Sequence, residues 1–213
     1  MTAVRRKVID DLPEPITADE FFDMPDDGTD VKYELVDGYL VAMAPTSPVH
    51  SLLQAKLAYL MSSHLKTNNS RCWVGTETGV QPVIKKNTNV RIPDLGVSCT
   101  PLTLEDKSMQ TPVLLIEVLS PSNAKATQAN LWMFASMASV QEVLLVHCKG
   151  ARLELFKRKS DGQLADAIIA DVGQSVRLDC IGMDLAVDEL YGDTPLAGLA
   201  FKKPKKTKST NER

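Results

Sequence analysis

Two carboxylates stand where chemistry can be read most directly. Asp94 lies in the run Val90-Arg-Ile-Pro-Asp-Leu-Gly-Val97, and Glu117 in Val113-Leu-Leu-Ile-Glu-Val-Leu119. Both runs are rich in β-branched and aliphatic residues, as buried neighbouring strands are. A carboxylate inside such a strand is costly unless a cation or hydrogen-bond donors meet it. Two of them on adjacent strands are therefore a candidate divalent-metal site. Pro93-Asp94 alone is equally well a turn or strand cap. Glu117, embedded in an apolar run, has fewer structural explanations.

These strands need an α/β scaffold, and the flanking sequence supplies its pieces. Thr17-Ala-Asp-Glu20 is a capping-box pattern that should start a short helix through Met24, ended by Pro25 and the turn residues Asp26-Asp27-Gly28. Asp37-Gly38 between Tyr33–Val36 and Tyr39–Met43 marks a tight hairpin. Apolar residues at helical spacing from Val49 to Lys66 predict a long amphipathic helix. Cys72–Val74 and Val80–Ile84 read as short strands, the second at an edge because of Pro82. Beyond the Glu117 strand, Ser120-Pro-Ser122 is a stop and Ala124–Ala138 a second amphipathic helix. Val143–His147, Arg152–Phe156, Ala167–Ala170 and Ser175–Leu178 read as further strands, and Val187–Tyr191 as a closing helix. Strand, helix and strand over 113–146 predict a right-handed parallel crossover. Its helix leaves from the end of the Glu117 strand, where ligands sit in open α/β sheets.

With 213 residues, 44% hydrophobic and 24% charged, the chain suits one globular domain. No apolar stretch approaches the ~20 residues of a membrane span, and Arg5-Arg6-Lys7 lacks the apolar run of a secretory signal. Cys72, Cys99, Cys148 and Cys180 have no CxxC spacing, so reduced thiols and a cytoplasmic location are expected, without a zinc site. Net charge is −3, but Lys202, Lys203, Lys205, Lys206, Lys208 and Arg213 against Glu212 give the last segment +5, leaving −8 on residues 1–201. Such a tail is either a solubilising terminus or a source of non-specific phosphate attraction. The expected organisation is a flexible arm over 1–15, a domain over 16–193 and a basic disordered tail over 194–213.

The ordered set Thr17-Ala-Asp-Glu-Phe-Phe, Tyr33-Glu-Leu-Val-Asp-Gly, Met43-Ala-Pro, Ser47-Pro-Val-His50, Val90-Arg-Ile-Pro-Asp94, Ile116-Glu-Val-Leu-Ser-Pro-Ser122 and Gln141-Glu-Val-Leu-Leu-Val146 resembles the Uma-two family of restriction endonucleases, within the PD-(D/E)XK nuclease superfamily. The resemblance covers residues 16 to 191. It implies a restriction-endonuclease-like mixed β-sheet flanked by helices, with an N-terminal β-hairpin. It implies further an endonuclease that hydrolyses DNA phosphodiester bonds through a metal-bound water. Asp94 and Glu117 would hold Mg2+, with Mn2+ as a substitute. Glu34 would bind a second metal or orient water, and His50 would approach a phosphate. Each has a plainer counterpart: Glu34 as the exposed member of a hairpin strand, His50 as a solvated helix start, and His64 and His147 as packing or surface residues.

The family pattern breaks at one place. The superfamily lysine, two residues past the second carboxylate, is here Leu119. In the family it sits on the following helix, at the position of Asn130, where the acidic partners are replaced by Ala126 and Ala129. Neighbours on that helix face (Ala126, Thr127, Met133 and Phe134) carry no charge. Lys125 lies about 140° round the helix. Asn130 can hold a water or phosphate oxygen without supplying a cation. The alternative expectation is therefore a catalytically silent nuclease fold that binds DNA or protein. No Gly-rich phosphate loop supports a nucleotide-binding domain. A homodimer through the Arg152–Phe156 strand is a further expectation.

Overall fold

The computed structural model describes residues 14–25, 28, 31–119 and 124–202, with side chains from residue 129 onward in the last stretch. Most of the expected arm, Asp26-Asp27, the Ser120–Ser122 stop, the side chains of Lys125 to Thr127, and residues 203–213 lie outside it.

Local chemistry sets the first elements. Thr17 caps α1 (Ala18–Phe22): its Oγ1 accepts from the Glu20 amide at 3.2 Å, and Glu20 Oε2 accepts from the Thr17 amide at 2.7 Å. The helix stops before Met24, because a residue preceding proline is disfavoured in the helical region. β1 (Tyr33–Val36) and β2 (Tyr39–Ala42) form the expected antiparallel hairpin. Asp37 and Gly38 take φ of 54° and 89°, which the tight turn requires. The long helix α2 (Pro48–Thr67) is capped by Ser47 and buries Leu53, Leu57, Met61 and Leu65 along one stripe.

Around these runs a mixed sheet in the order β3-β4-β5-β6-β7-β8. Its strands are β3 (Trp73–Thr76), β4 (Leu95–Ser98), β5 (Pro112–Leu119), β6 (Glu142–His147), β7 (Arg152–Lys157) and β8 (Ile168–Asp171). β5 and β6 are parallel, joined through helix α3 (Ala124–Ala135), and the other neighbours are antiparallel. β9 (Ser175–Leu178) pairs with β10 (Met183–Ala186), and α4 (Val187–Tyr191) follows. One sheet face packs Leu114, Ile116, Val118, Leu144 and Val146 against α2 and α4. The other packs Leu115, Val143 and Leu145 against Phe134 of α3. Helices thus cover both faces of a mixed sheet.

Several expectations need correction. The Asp94 run is not one strand: Val90 and Arg91 make isolated bridges, and the regular strand begins only at Leu95. Pro93, which has no amide hydrogen, sits at the break. Val80–Ile84 forms no strand beyond a single bridge from Val80 to Arg91. β10 (Met183–Ala186) is an unexpected strand, paired with β9 across the turn at residues 179–182. Arg152–Phe156 offers no free edge for dimer pairing, because β7 lies between β6 and β8. Cys72 and Cys99 are joined in a disulfide, contrary to four free thiols. The antiparallel register that pairs Trp73 with Ser98 brings these two residues face to face, a proximity that their separation in sequence conceals.

Candidate active site

Asp94 and Glu117 are brought together by strand register. Leu95 pairs with Ile116, so Asp94, one residue before, approaches the strand beside Glu117. Asp94 Oδ2 accepts from the Val118 amide at 2.6 Å, and its Oδ1 lies 3.1 Å from His50 Nε2. Both Asp94 and Glu117 are buried. Helix α3 supplies the third wall: Asn130, itself buried, donates from Nδ2 to Glu117 Oε1 at 3.1 Å. Asn130 therefore faces Glu117 with an uncharged amide.

Glu34 completes the cluster from the hairpin. It is not an exposed strand residue: it is half-buried, and its Oε1 accepts from the Ile92 amide at 2.9 Å. Burial raises the Glu34 pKa above the ordinary carboxylate range, and the charge of Asp94 adds to this. The Ile92 amide, Arg91 and Asn130 pull it back. Glu117 is held well above its usual value, first by burial and then by the charge of Asp94, with Glu34 adding a smaller push and the Asn130 hydrogen bond opposing them. Three acidic groups thus share a poorly hydrated space, an arrangement that a cation relieves.

Sequence reasoning undervalued or missed three supporting residues. His50 is buried rather than solvated, and its Nδ1 has no hydrogen-bond partner. Gln54, one turn along α2, donates to the Asp94 carbonyl at 3.0 Å and reaches Glu77 at 3.5 Å. Its place four residues after His50, on the same helix side, was the available signal. Arg91 is buried, donating to the Leu35 carbonyl at 2.9 Å and to Asn89 Oδ1 at 3.1 Å, so it ties the hairpin to the strand that leads into Asp94. His64 contacts the Ile181 carbonyl and His147 contacts Glu154, both away from the carboxylates as expected. An apolar cavity of about 490 Å³ between Ile84, Trp132, Phe156 and Leu164 contains none of the acidic residues.

The family model "Uma2: Putative restriction endonuclease" matches residues 18–188. The chain belongs to this family. An uncharacterized protein of Synechocystis is 31% identical over 174 residues, covering 80% of this chain and 86% of the relative. The crystal structure of "a putative nuclease belonging to DUF820" from Anabaena variabilis superposes with a TM-score of 0.66 at 18% identity, covering 84% of this chain and 98% of that one. That likeness is one of fold: the observed sheet and helices match those of that structure. Asp94, Glu117, Glu34 and Asn130 all lie within the matched segment.

Proposed function

We propose that this protein is a metal-dependent endonuclease that hydrolyses DNA phosphodiester bonds, with Asp94 and Glu117 as the holders of a magnesium ion. The observation that carries this reading is the approach of buried Asp94 and Glu117 and half-buried Glu34 to one another beside Asn130. The donors are hard oxygens, and burial beside Asp94 disfavours a charge on Glu117 that no cation among the described residues meets. Magnesium takes one or two carboxylates and keeps several waters. Two carboxylates therefore suffice, and among the described residues no group of three or more His, Cys, Asp or Glu is placed to hold a metal ion. Such an ion supplies charge neutralisation at the phosphate and an acidified water.

The protein's own groups do the positioning. The Val118 amide and His50 hold the two Asp94 oxygens, and Gln54 holds its carbonyl. Glu34, fixed by the Ile92 amide, faces the same space and orients water. Asn130 holds Glu117 and presents an amide to water or a phosphate oxygen. Relaxation of supercoiled plasmid with magnesium or manganese tests the proposal. Asp94→Ala and Glu117→Ala should each lower nicking by on the order of 10² or more. A folded wild-type protein that cleaves in neither metal overturns it.

The uncharged Asn130 favours a second reading, a non-cleaving nuclease fold that binds DNA or protein. It requires duplex or partner binding that survives both alanine substitutions.

A further inference from the structure

The disulfide between Cys72 and Cys99 stands at one end of the β3–β4 ladder, and Asp94 stands at the other. Trp73 pairs with Ser98 at the first end and Thr76 with Leu95 at the second. One step outward from the first pair are the two cysteines. One step outward from the second are Glu77 and Asp94, where the Glu77 amide donates to the Asp94 carbonyl at 3.1 Å. The segment closed by the disulfide, over a sequence separation of 27, therefore contains Glu77, Arg91 and Asp94.

Within the sheet β3 is weakly held. It is the first strand in the order, so among the described residues it pairs on one side only. Its ladder with β4 has four pairs, and one of them sets Gly75 against Gly96. A glycine pair adds no cross-strand side-chain contact, and glycine weakens a strand interior. Met109 fills the space over this pair from outside the two strands: a Cβ on Gly96 would stand 2.7 Å from its Sδ. Glu77 itself takes a φ of 50°, in the left-handed region that a non-glycine residue keeps only where its surroundings impose it. Those surroundings are the Asp94 carbonyl, the Lys32 ammonium and Gln54, whose amide reaches that carbonyl at 3.0 Å and Glu77 Oε1 at 3.5 Å.

The disulfide is open to reagents, since Cys99 is exposed and Cys72 half-buried. The free thiols Cys148 and Cys180 do not attack it. Burial raises both, Cys148 to about 11, and the thiolate is the nucleophile in exchange. Exchange therefore comes from an external dithiol. Its thiolate attacks Cys99 Sγ, the bond between the two cysteines breaks, and Cys72 leaves as a thiolate that takes a proton. The second thiol then displaces Cys99, and the reagent departs as a cyclic disulfide. Two electrons and two protons have passed to the protein.

From this arrangement we infer that the Cys72–Cys99 bond is a reversible thiol–disulfide switch on the candidate site. Closed, it holds β3 against β4 and keeps Glu77 on the Asp94 carbonyl. Opened by a dithiol, it lets the edge strand fray, Glu77 relaxes from its left-handed conformation, and the backbone that presents Asp94 loses a partner. Asp94 is then less well positioned for a divalent ion. That last consequence rests on the nuclease reading; the change at Glu77 does not.

The test compares amide spectra of the full chain before and after dithiothreitol, with thiols counted by alkylation and mass. On reduction the Glu77 amide proton should move upfield and broaden, while the amides of Val143 to Val146 in β6 keep their positions. Replacing the dithiol with oxidised glutathione should restore the first spectrum. Cys72→Ser/Cys99→Ser should give the reduced spectrum and ignore dithiothreitol. Calorimetric titration with manganese should show several-fold weaker binding to the reduced form and to the double variant. A Glu77 resonance unmoved by reduction overturns the inference. So does loss of the β6 resonances, which would make the bond a staple of the whole fold, and so does a change that oxidation fails to reverse. Equal manganese affinity in both forms, with Glu77 displaced, overturns control of the site. Manganese bound by neither form, with Glu77 displaced, sinks the metal reading and leaves the switch. Manganese bound with Glu77 unmoved sinks this inference alone.

Discussion

Glu117 is the residue where local electrostatics are most exposed to measurement. Its pKa in the folded chain lies above the unfolded value because burial and Asp94 disfavour its charge. The folded state therefore keeps a proton that the unfolded state releases. Stability from this group is fully present below the ordinary carboxylate range, and it is lost as pH rises from there through the raised value. In chelator, Glu117→Gln should raise the thermal midpoint by a few degrees at neutral pH and leave it nearly unchanged near pH 4; a lower midpoint at neutral pH would contradict the assigned burial cost. Asn130 offers the complementary gain of function. A lysine there would meet Glu117 from the position where Asn130 now donates. Asn130→Lys should accelerate plasmid nicking by on the order of 10², read from initial rates in magnesium. The residue types and their apolar surroundings made Asp94 and Glu117 visible in the sequence. His50 was not visible in that way, because its burial comes from a helix packing over a strand break.

At the scale of elements, the hairpin and α3 bring the site its outlying groups. Glu34 reaches the cluster only because β1 leans on the segment before β4, where Leu35 bridges Val90. Arg91 holds that contact through the Leu35 carbonyl and Asn89. Arg91→Ala should cost about 1.5–3 kcal/mol, measured by urea denaturation, and should lower nicking further by loosening Glu34. A variant as stable as wild type would show that the hairpin is held elsewhere. Helical periodicity and turn chemistry exposed α2, α3 and the hairpin, since both are local. The break at Pro93 was obscured because pairing with distant partners, Val90 with Leu35 and Arg91 with Val80, not local propensity, defines it.

Across the whole molecule, a metal held by Asp94 and Glu117 would link protons and stability. A divalent cation that binds only the folded chain stabilises it by RT ln(1 + [L]/Kd), about 2.7 kcal/mol at a hundredfold excess over Kd. Magnesium should therefore raise the thermal midpoint more at pH 8 than at pH 6, because protons compete for Glu117 at the lower pH. An equal or absent shift at both values would argue against Glu117 as a ligand. The sequence by itself determined the helices, the hairpin and most strands of the sheet, and marked the two carboxylates as candidates, because periodicity, capping and apolar context act over a few residues. Only the tertiary structure decided that His50 and Gln54 hold Asp94, that Asn130 faces Glu117 and that β7 is an inner strand. Each of these depends on register or helix docking between segments far apart in the chain, where one residue of slip turns a side chain to the opposite face.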